Sequence, residues 1–229
     1  MKKTILLIII LISFVSINAQ RIVEKTIKVK KGQDIELDFQ FADDIIIKTW
    51  NKNEIYVKVS VNINDNIDNE DFILNVFDEK SEIEIKSEIK NLGNKSENTI
   101  TLRKDEETGE YHYKGNCTQM DLFFEVFLPQ GTNLEVKTIS GNIEVTDLES
   151  EMNLESISGD VDLTLAQNIK ADIEMSTISG EIYSNMNLDY GDEETLHRIG
   201  GIEISSKLNG GGISIDLETI SGDILLRKK

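Results

Sequence analysis

Apolar and polar residues alternate along most of the chain, which is the pattern of β-strands that bury one face. The clearest example runs from Ile55 to Ile63, where every second residue is apolar. Between residues 134 and 145 the same alternation is interrupted once, at Ile139, beside a Ser-Gly pair. We interpret this interruption as a bulge or bend at which the chain passes from one sheet to the next.

One phrase recurs in the second half of the chain, each time with Ser-Gly at its centre: Thr138–Val145, Ser156–Leu163, Thr177–Ser184 and Thr219–Leu226. Two degenerate copies begin at Gly200 and Gly211. A period of about twenty residues predicts one strand–corner–strand unit stacked on copies of itself. We expect glycine at each corner because of a positive φ, or because stacked units leave no room for a Cβ. The predicted corner glycines are Gly141, Gly159, Gly180, Gly200, Gly211 and Gly222.

Stacking of the copies predicts a shared column of inward aliphatic side chains, formed by Ile143, Val161, Ile182, Ile202, Ile213 and Ile224. The sequence thus predicts an all-β fold, in which a β-solenoid or β-roll-like stack of short strands follows an antiparallel β region. We assign residues 20–130 to that N-terminal region and residues 131–229 to the repeats, continuous with the preceding sheet. Residues 91–116, rich in polar residues, predict a long excursion or hairpin.

Residues 1–19 have the pattern of a secretory signal peptide. Lys2 and Lys3 precede an apolar run of about eleven residues, and Ala19 offers a small residue for cleavage. The run is short for a membrane span. We therefore expect an exported protein of the periplasm, the outer cell surface or the medium, with an uncleaved N-terminal anchor as the alternative.

The net charge of the 229-residue chain is −18, and it becomes −20 if Lys2 and Lys3 leave with the signal peptide. Such a chain disfavours nucleic acid and anionic membranes as partners and favours cations, basic proteins or neutral polysaccharides. The single cysteine, Cys117, excludes an internal disulfide. We interpret Cys117 as a small core residue, with a reactive thiol as the alternative. The basic residues 227–229 are expected to protect the last sheet edge from aggregation.

The outward positions after the corners are mostly acidic, and we name them the candidate surface ladder: Asn142, Glu144, Asp160, Asp162, Glu181, Glu203 and Asp223. They predict either a solvated sheet face or a cation- or ligand-binding ladder, because carboxylates about 5 Å apart repel each other unless they are bridged. Calcium requires 6–8 converging oxygens, which a flat face rarely supplies.

Other candidate chemistry is sparse. The Asn/Asp-rich stretch Asn64–Asp71 lacks the central glycine and terminal glutamate of an EF-hand, which favours a solvated loop. Trp50 predicts a lid on the core or a sugar-stacking platform. His112 and His197 have no metal-type spacing. We assign no catalytic residue, cofactor or metal ligand.

The repeats resemble a bacterial family of exported β-strand-repeat proteins that are usually described as proposed adhesins. Asp44–Ile47 with Trp50–Ile55 is similar to the first repeat of many such proteins, and Phe124–Pro129 is similar to the phrase that leads into their repeats. The resemblance covers about residues 40 to 226. It implies an all-β fold with a solenoid-like or roll-like repeat region, and it brings no catalytic residues.

These observations favour a non-enzymatic, exported cell-envelope protein whose β surface serves adhesion or partner binding. The partner would be a protein or polysaccharide of the envelope; the oligomeric state stays open. The alternative is a periplasmic accessory or sensor protein of an envelope-stress pathway. A more distant alternative is a polysaccharide-active enzyme, for which Asp160 and Asp162 are the paired acids.

Overall fold

A computed structural model describes residues 20–92, 101–104, 111–114, 118–190, 196–198 and 201–229. The prediction of an all-β protein is confirmed: these residues form strands and turns with one short 3-10 helix, Asn69–Asp71. No helix in this part of the chain is long and apolar enough to cross a membrane. The proposed signal peptide, Cys117 and Gly200 lie outside the described residues.

The first half of the chain supplies nine strands in order: β1 (Arg21–Lys28), β2 (Asp34–Phe39), β3 (Phe41–Trp50), β4 (Glu54–Ile63), β5 (Phe72–Asp78), β6 (Glu82–Ile89), β7 (Thr101–Lys104), β8 (Tyr111–Lys114) and β9 (Met120–Pro129). The second half supplies nine more: β10 (Leu134–Thr146), β11 (Met152–Ser158), β12 (Val161–Leu165), β13 (Ala171–Ser179), β14 (Ile182–Ser184), β15 (Leu196–Arg198), β16 (Gly201–Leu208), β17 (Ile213–Ser221) and β18 (Ile224–Lys228). Strands β7 and β8 pair antiparallel in a separate two-stranded sheet, in agreement with the excursion or hairpin predicted for residues 91–116.

The repeats build units that we call rungs, each made of a first arm, a corner and a second arm. The long strand β10 contains one whole rung and bends at its corner, where its pairing register shifts between Ser140 and Asn142. Its first arm pairs in parallel with β2 and β11, and its second arm pairs in parallel with β3 and β12. Copies therefore stack in register, and like residues of the repeat meet.

The spatial order of the rungs differs from their order in the chain. Strand β17 lies between β11 and β13, and β18 lies between β12 and β14. The stack therefore runs through rungs 34–50, 134–146, 152–165, 213–228 and 171–184. Within the described residues its sheet remains open.

Neither degenerate copy forms a rung of its own, so two members of the predicted inward column, Ile202 and Ile213, do not belong to it. Ile143, Val161, Ile224 and Ile182 share one column. By contrast, Ile202 lies in β16, which runs antiparallel to β13 and places it opposite Thr177. The first-arm strand β17 begins at Ile213, which pairs with Ala171. A strand that returns antiparallel can carry the same Gly-Ile phrase because alternation does not reveal strand direction.

The N-terminal region is only partly antiparallel. Strand β4 pairs antiparallel with β1 and β9, and β5 does so with β6. However, β3 pairs in parallel with β9 and β10, and β2 pairs in parallel with β6 and β10. Residues 34–50 therefore form an extra rung, whose corner has Phe41 and Ala42 in place of Ser-Gly.

One apolar core runs through both regions. The rings of Phe39 and Phe124 stack with centroids 4.2 Å apart, and both side chains are buried. The inward column residues Ile143, Val161 and Ile224 are fully buried against the same cluster. Burial of each such side chain contributes roughly 1.5–3 kcal/mol, so the stack is stabilised chiefly by neighbouring rungs covering one another.

The expectation that the basic residues 227–229 protect a sheet edge stays a prediction. Strand β18 pairs with β12 from Ile224 to Lys228, but with β14 only from Ile224 to Leu226. The guanidinium of Arg227 lies 2.7 Å from Asp162, and the Lys229 ammonium lies 2.5 Å from Asp147. These cations therefore pair with neighbouring acids on an internal rung.

Candidate functional site

The corner glycines form a column in which each one lies against the carbonyl of the next rung. A Cβ on Gly159 would lie 2.1 Å from the Gly141 oxygen, and one on Gly222 would lie 2.1 Å from the Gly159 oxygen. A Cβ on Gly180 would lie 1.9 Å from the Gly222 oxygen. Such distances exclude any side chain. The close approach of stacked rungs therefore explains these glycines, and Gly141 and Gly159 also have positive φ.

The hydroxyl residue three positions before each glycine secures the same column. Ser156 Oγ donates to the Gly141 carbonyl at 3.2 Å, Thr219 Oγ1 to the Gly159 carbonyl at 2.9 Å, and Thr177 Oγ1 to the Gly222 carbonyl at 3.0 Å. All three side chains are buried. A buried carbonyl without a partner is costly, so these hydroxyls stabilise the junction between rungs.

The residue after each glycine continues this bonding as what we call the corner ladder: Asn142, Asp160, Asp223 and Glu181. The Asn142 side-chain oxygen accepts the Asp160 backbone N–H at 3.0 Å, and Asp160 Oδ1 accepts the Asp223 N–H at 2.8 Å. Asp223 Oδ1 then accepts the Glu181 N–H at 2.8 Å. Asp160 and Asp223 are thus fixed acceptors for the next rung, a role that strand alternation alone does not reveal, whereas Glu181 ends the ladder and accepts the Tyr183 hydroxyl.

The remaining members of the candidate surface ladder lie elsewhere. Glu144 and Asp162 are opposite each other on the second arms. Asp162 Oδ2 pairs with Arg227 while its Oδ1 is buried without a partner among the described residues. Burial raises the pKa of the Asp162 carboxyl, Arg227 opposes this, and Glu144 and Asp160 add to it. Glu203 lies on antiparallel β16, opposite Ser176. The seven predicted residues therefore do not form one ladder.

Gly211 is not a corner of the stack. It lies in the turn between β16 and β17 with φ +86°, and a Cβ there would lie 2.7 Å from Asp172 Oδ1. The adjacent Gly212 N–H donates to Asp172 Oδ2 at 3.0 Å. This glycine therefore serves a tight turn that passes beside the start of β13.

An exposed apolar row was not predicted as a surface. We call it the isoleucine row: the residue before each Ser-Gly pair, Ile139, Ile157, Ile220 and Ile178. The four side chains are between 41% and 57% exposed. They lie opposite one another because the residues on either side of them pair in register. The signal was present in the sequence, since isoleucine recurs beside an inward hydroxyl residue in all four copies.

The first arms present carboxylates on their outer side, which we call the outer acidic face: Glu36, Asp38, Glu135, Glu155, Glu174, Asp216 and Glu218. At one end Lys137 Nζ lies 3.1 Å from Glu36 and 2.6 Å from Glu135, and Lys86 pairs with Asp38. Hydrogen bonds to Glu135 and Glu36 raise the pKa of Lys137 above its ordinary value.

The other end of the outer acidic face has no such cations. Glu155 lies directly opposite Glu218, and Glu174 lies opposite Asp216. None of these four carboxylates has a lysine or arginine within 4.0 Å in the described part of the chain. Like charges directly opposite on neighbouring strands are destabilising. Burial also raises the pKa of Asp216, so its ionised form is disfavoured.

Two solved structures resemble this arrangement. A proposed cell adhesion protein from Clostridium sporogenes is 11% identical, with a TM-score of 0.56 over 92% of this chain and 100% of that chain. This likeness shows a shared fold. A proposed adhesin from Bacteroides fragilis is also 11% identical, over 93% of this chain and 99% of that one, but its TM-score of 0.29 carries no argument. No family model matches the chain, and no curated protein matches it.

Trp50 belongs to an aromatic group on the outside of the N-terminal sheet. Its ring stacks on Phe127 at 5.3 Å and tilts against Tyr56 at 6.2 Å between centroids. Its Nε1 donates to the Glu54 carbonyl, and Lys52 Nζ lies 4.1 Å from the ring centroid. Since its ring packs against these outer-face neighbours and is not among the residues packed on the core, the predicted lid on the core is not confirmed, and an open sugar-stacking platform is disfavoured.

Asparagine and aspartate side chains hold the Asn64–Asp71 loop. Asn69 Oδ1 accepts the Ile63 N–H at 2.7 Å, and Asn64 Nδ2 donates to Asp68 at 2.7 Å. Asn64, Asp65 and Asn66 all have positive φ, a conformation that asparagine and aspartate tolerate. Across the part of the chain that the structure describes, no three His, Cys, Asp or Glu side chains are placed to hold a metal.

Proposed function

We propose that this chain is a non-enzymatic, exported adhesion-type protein of the bacterial cell envelope, and that its rungs form an open, solenoid-like stack presenting a binding surface. The observation that carries the proposal is the isoleucine row. Each of the four Ser-Gly copies places an isoleucine in this row, and all four isoleucines are exposed. Contiguous exposed apolar surface is typical of interaction sites.

Two further observations support this proposal. The fold is shared with a protein that is itself proposed to act in cell adhesion, and residues 1–19 have the pattern of an export signal. The acids suggested for an enzyme do not converge, because Asp160 accepts a backbone N–H whereas Asp162 pairs with Arg227. A glycosidase-type site requires two carboxyl groups that face one substrate.

The first test is protease shaving of intact cells that produce the full chain, beside a known periplasmic protein as the control. Digestion of this protein while the control survives would place it on the outer surface. Cells lacking it should then attach less to surfaces or to neighbouring cells. If the protein survives until the outer barrier is opened, the adhesion role is wrong. The accessory role in the periplasm would then replace it.

A further inference from the structure

The isoleucine row is the large apolar part of the repeat phrase that the fold does not account for. In the copy Thr219–Leu226 the threonine bonds a neighbouring carbonyl, the glycine permits close stacking, the aspartate accepts a backbone N–H, and Ile224 is buried. Ile220 is the large apolar residue of this copy that is left exposed, at 41%. A polar or β-branched hydroxyl residue would suit an exposed strand position equally well, so its repeated identity points to contact with something outside the chain.

A shallow groove runs beside this row. Its volume is about 320 Å³, and its floor and walls include Ile139, Ile157 and Ile220 on one side and Lys137, Glu155 and Glu218 on the other. Neighbouring strands are about 4.8 Å apart, so the four isoleucines extend over roughly 14 Å. The groove thus offers an aliphatic strip with carboxylates along its edge.

The spacing of the isoleucines and the charge of the carboxylates beside them together define which partner fits the groove. Successive turns of an α-helix are about 5.4 Å apart, close to the spacing of the row, and about ten residues of helix cover 14 Å. Side chains on one face of an extended strand are about 6.6 Å apart, a poorer match. Along the groove edge the carboxylates of Glu155 and Glu218 outnumber the one lysine, Lys137, whose ammonium already pairs with Glu36 and Glu135, so the edge favours cations. A second copy of this chain, which carries a net charge of −18, or an anionic membrane would meet repulsion instead.

We propose that this groove binds a cationic amphipathic polypeptide segment in helical form, with aliphatic side chains on the isoleucine row and lysine or arginine beside Glu155 and Glu218. The inference names a partner class for the surface in the proposed function, and so rests on it. Helices laid in apolar grooves are a recurrent mode of peptide recognition.

The test measures binding of the purified chain to a fluorescent peptide of about 14 residues made of leucine and lysine, with leucines at helical spacing. Two further peptides serve as controls: one with the same composition in strict alternation, and one with glutamate in place of lysine. We expect the helical cationic peptide to bind at least tenfold more tightly than either. Its binding should weaken as salt rises from about 0.05 to 0.5 M.

Matched variants of the protein locate the binding. Ile157→Ser with Ile220→Ser should weaken binding at least tenfold, whereas Ile22→Ser with Ile67→Ser, at exposed isoleucines elsewhere, should leave it unchanged. Glu155→Gln with Glu218→Gln should weaken binding several-fold and flatten its salt dependence. The control for that change, Glu88→Gln with Glu149→Gln, removes two exposed carboxylates outside the groove. Thermal unfolding of all four variants verifies that the fold is kept.

Several outcomes would overturn the proposal: no binding of the cationic helical peptide, equal binding of the acidic or alternating peptide, or equal losses in the groove and control variants. Self-association that the Ile157→Ser, Ile220→Ser variant abolishes would assign the row to a second copy and overturn it as well. The shaving and attachment tests are independent of these measurements. A protein that is exposed and adhesive but does not bind the peptide would retain the proposed function and lose only this inference.

Discussion

The corner ladder and the outer acidic face contain the same residue types at the same spacing, about one strand apart, on the same rungs. At the corners, Asp160 and Asp223 each accept a backbone N–H from the next rung. On the arms, Glu155 faces Glu218, and Glu174 faces Asp216, and none of the four forms an ion pair within the described residues. An acidic residue in this repeat is therefore either an acceptor for the backbone of the next rung or a charge on the sheet surface, depending on its distance from the glycine.

The largest expected effect is at the glycine column, on which the corner ladder depends. Gly222→Ala would place a Cβ 2.1 Å from the Gly159 oxygen, and the rungs would have to separate. We expect a loss of about 3 kcal/mol or more in the free energy of unfolding, measured by urea denaturation. Gly32→Ala is the control, because that glycine has φ +82° but open space around it and should lose only about 1 kcal/mol. Equal losses would refute the stacking argument.

The hydroxyl column should show the next largest effect. Thr219→Val keeps the shape of the side chain but removes the donor to the Gly159 carbonyl, which lies 2.9 Å away. We expect a loss of about 1–2 kcal/mol in the free energy of unfolding. Thr164→Val, on the half-buried outer side of β12, should change it by less than about 0.5 kcal/mol. The interpretation would fail if both substitutions had the same effect.

A direct comparison of the two kinds of acid should give a smaller difference. Asp160→Ala removes the acceptor for the Asp223 N–H and should destabilise by about 1 kcal/mol. Asp160→Asn keeps an acceptor oxygen, as Asn142 does naturally, and should be close to neutral. Glu155→Ala should change stability by less than about 0.5 kcal/mol. Chemical denaturation of the three variants would contradict the comparison if Glu155→Ala were the most destabilising.

The smallest effect should be a stabilisation on the arms. Burial raises the pKa of Asp216, so the folded state disfavours the ionised carboxylate at pH 7. This penalty shrinks as the pH falls through the raised pKa and is gone below the ordinary pKa that the group has in the unfolded chain. Asp216→Asn should therefore stabilise the protein at pH 7 by a few tenths of a kcal/mol and give no gain near pH 3. Melting temperatures at both pH values measure this. A gain that grows on acidification would contradict the assigned cause.

The sequence predicted the inward column correctly wherever one copy of the repeat meets another, as at Ile143, Val161 and Ile224. It could not predict which copy stacks on which. The copies present the same glycine, hydroxyl and acceptor groups, so each can dock on any other, and tertiary packing decides. The Ser-Gly phrase does not mark the N-terminal rung, which only the resemblance of residues 44–55 to a first repeat indicated. Ala42 ends the glycine column: its carbonyl faces Gly141, and no further rung corner among the described residues requires it to lack a Cβ.

The residue types of the candidate site were predictable from the sequence, but their arrangement in space was not. Alternation placed Asp160 on an outward position, but it does not show that the side chain turns toward the backbone N–H of the next rung. Ile139 was interpreted only as a bend, although its parity already placed it away from the core. The groove beside it forms only when separate rungs bring Ile157 and Ile220 into line, which no local pattern encodes.

The order of the rungs has a consequence for how the protein folds as it is made. Residues 213–228 occupy the middle of the stack, between residues 152–165 and residues 171–184. During synthesis the earlier segment 171–184 emerges before the rung that separates it from β11, while its other neighbour, β16, is made before that rung. It must therefore wait off the stack, paired with β16, or rest temporarily on β11 and later be displaced. Loss of residues 213–229 would thus leave a gap inside the stack, and assembly should finish only after the whole repeat region has been synthesised.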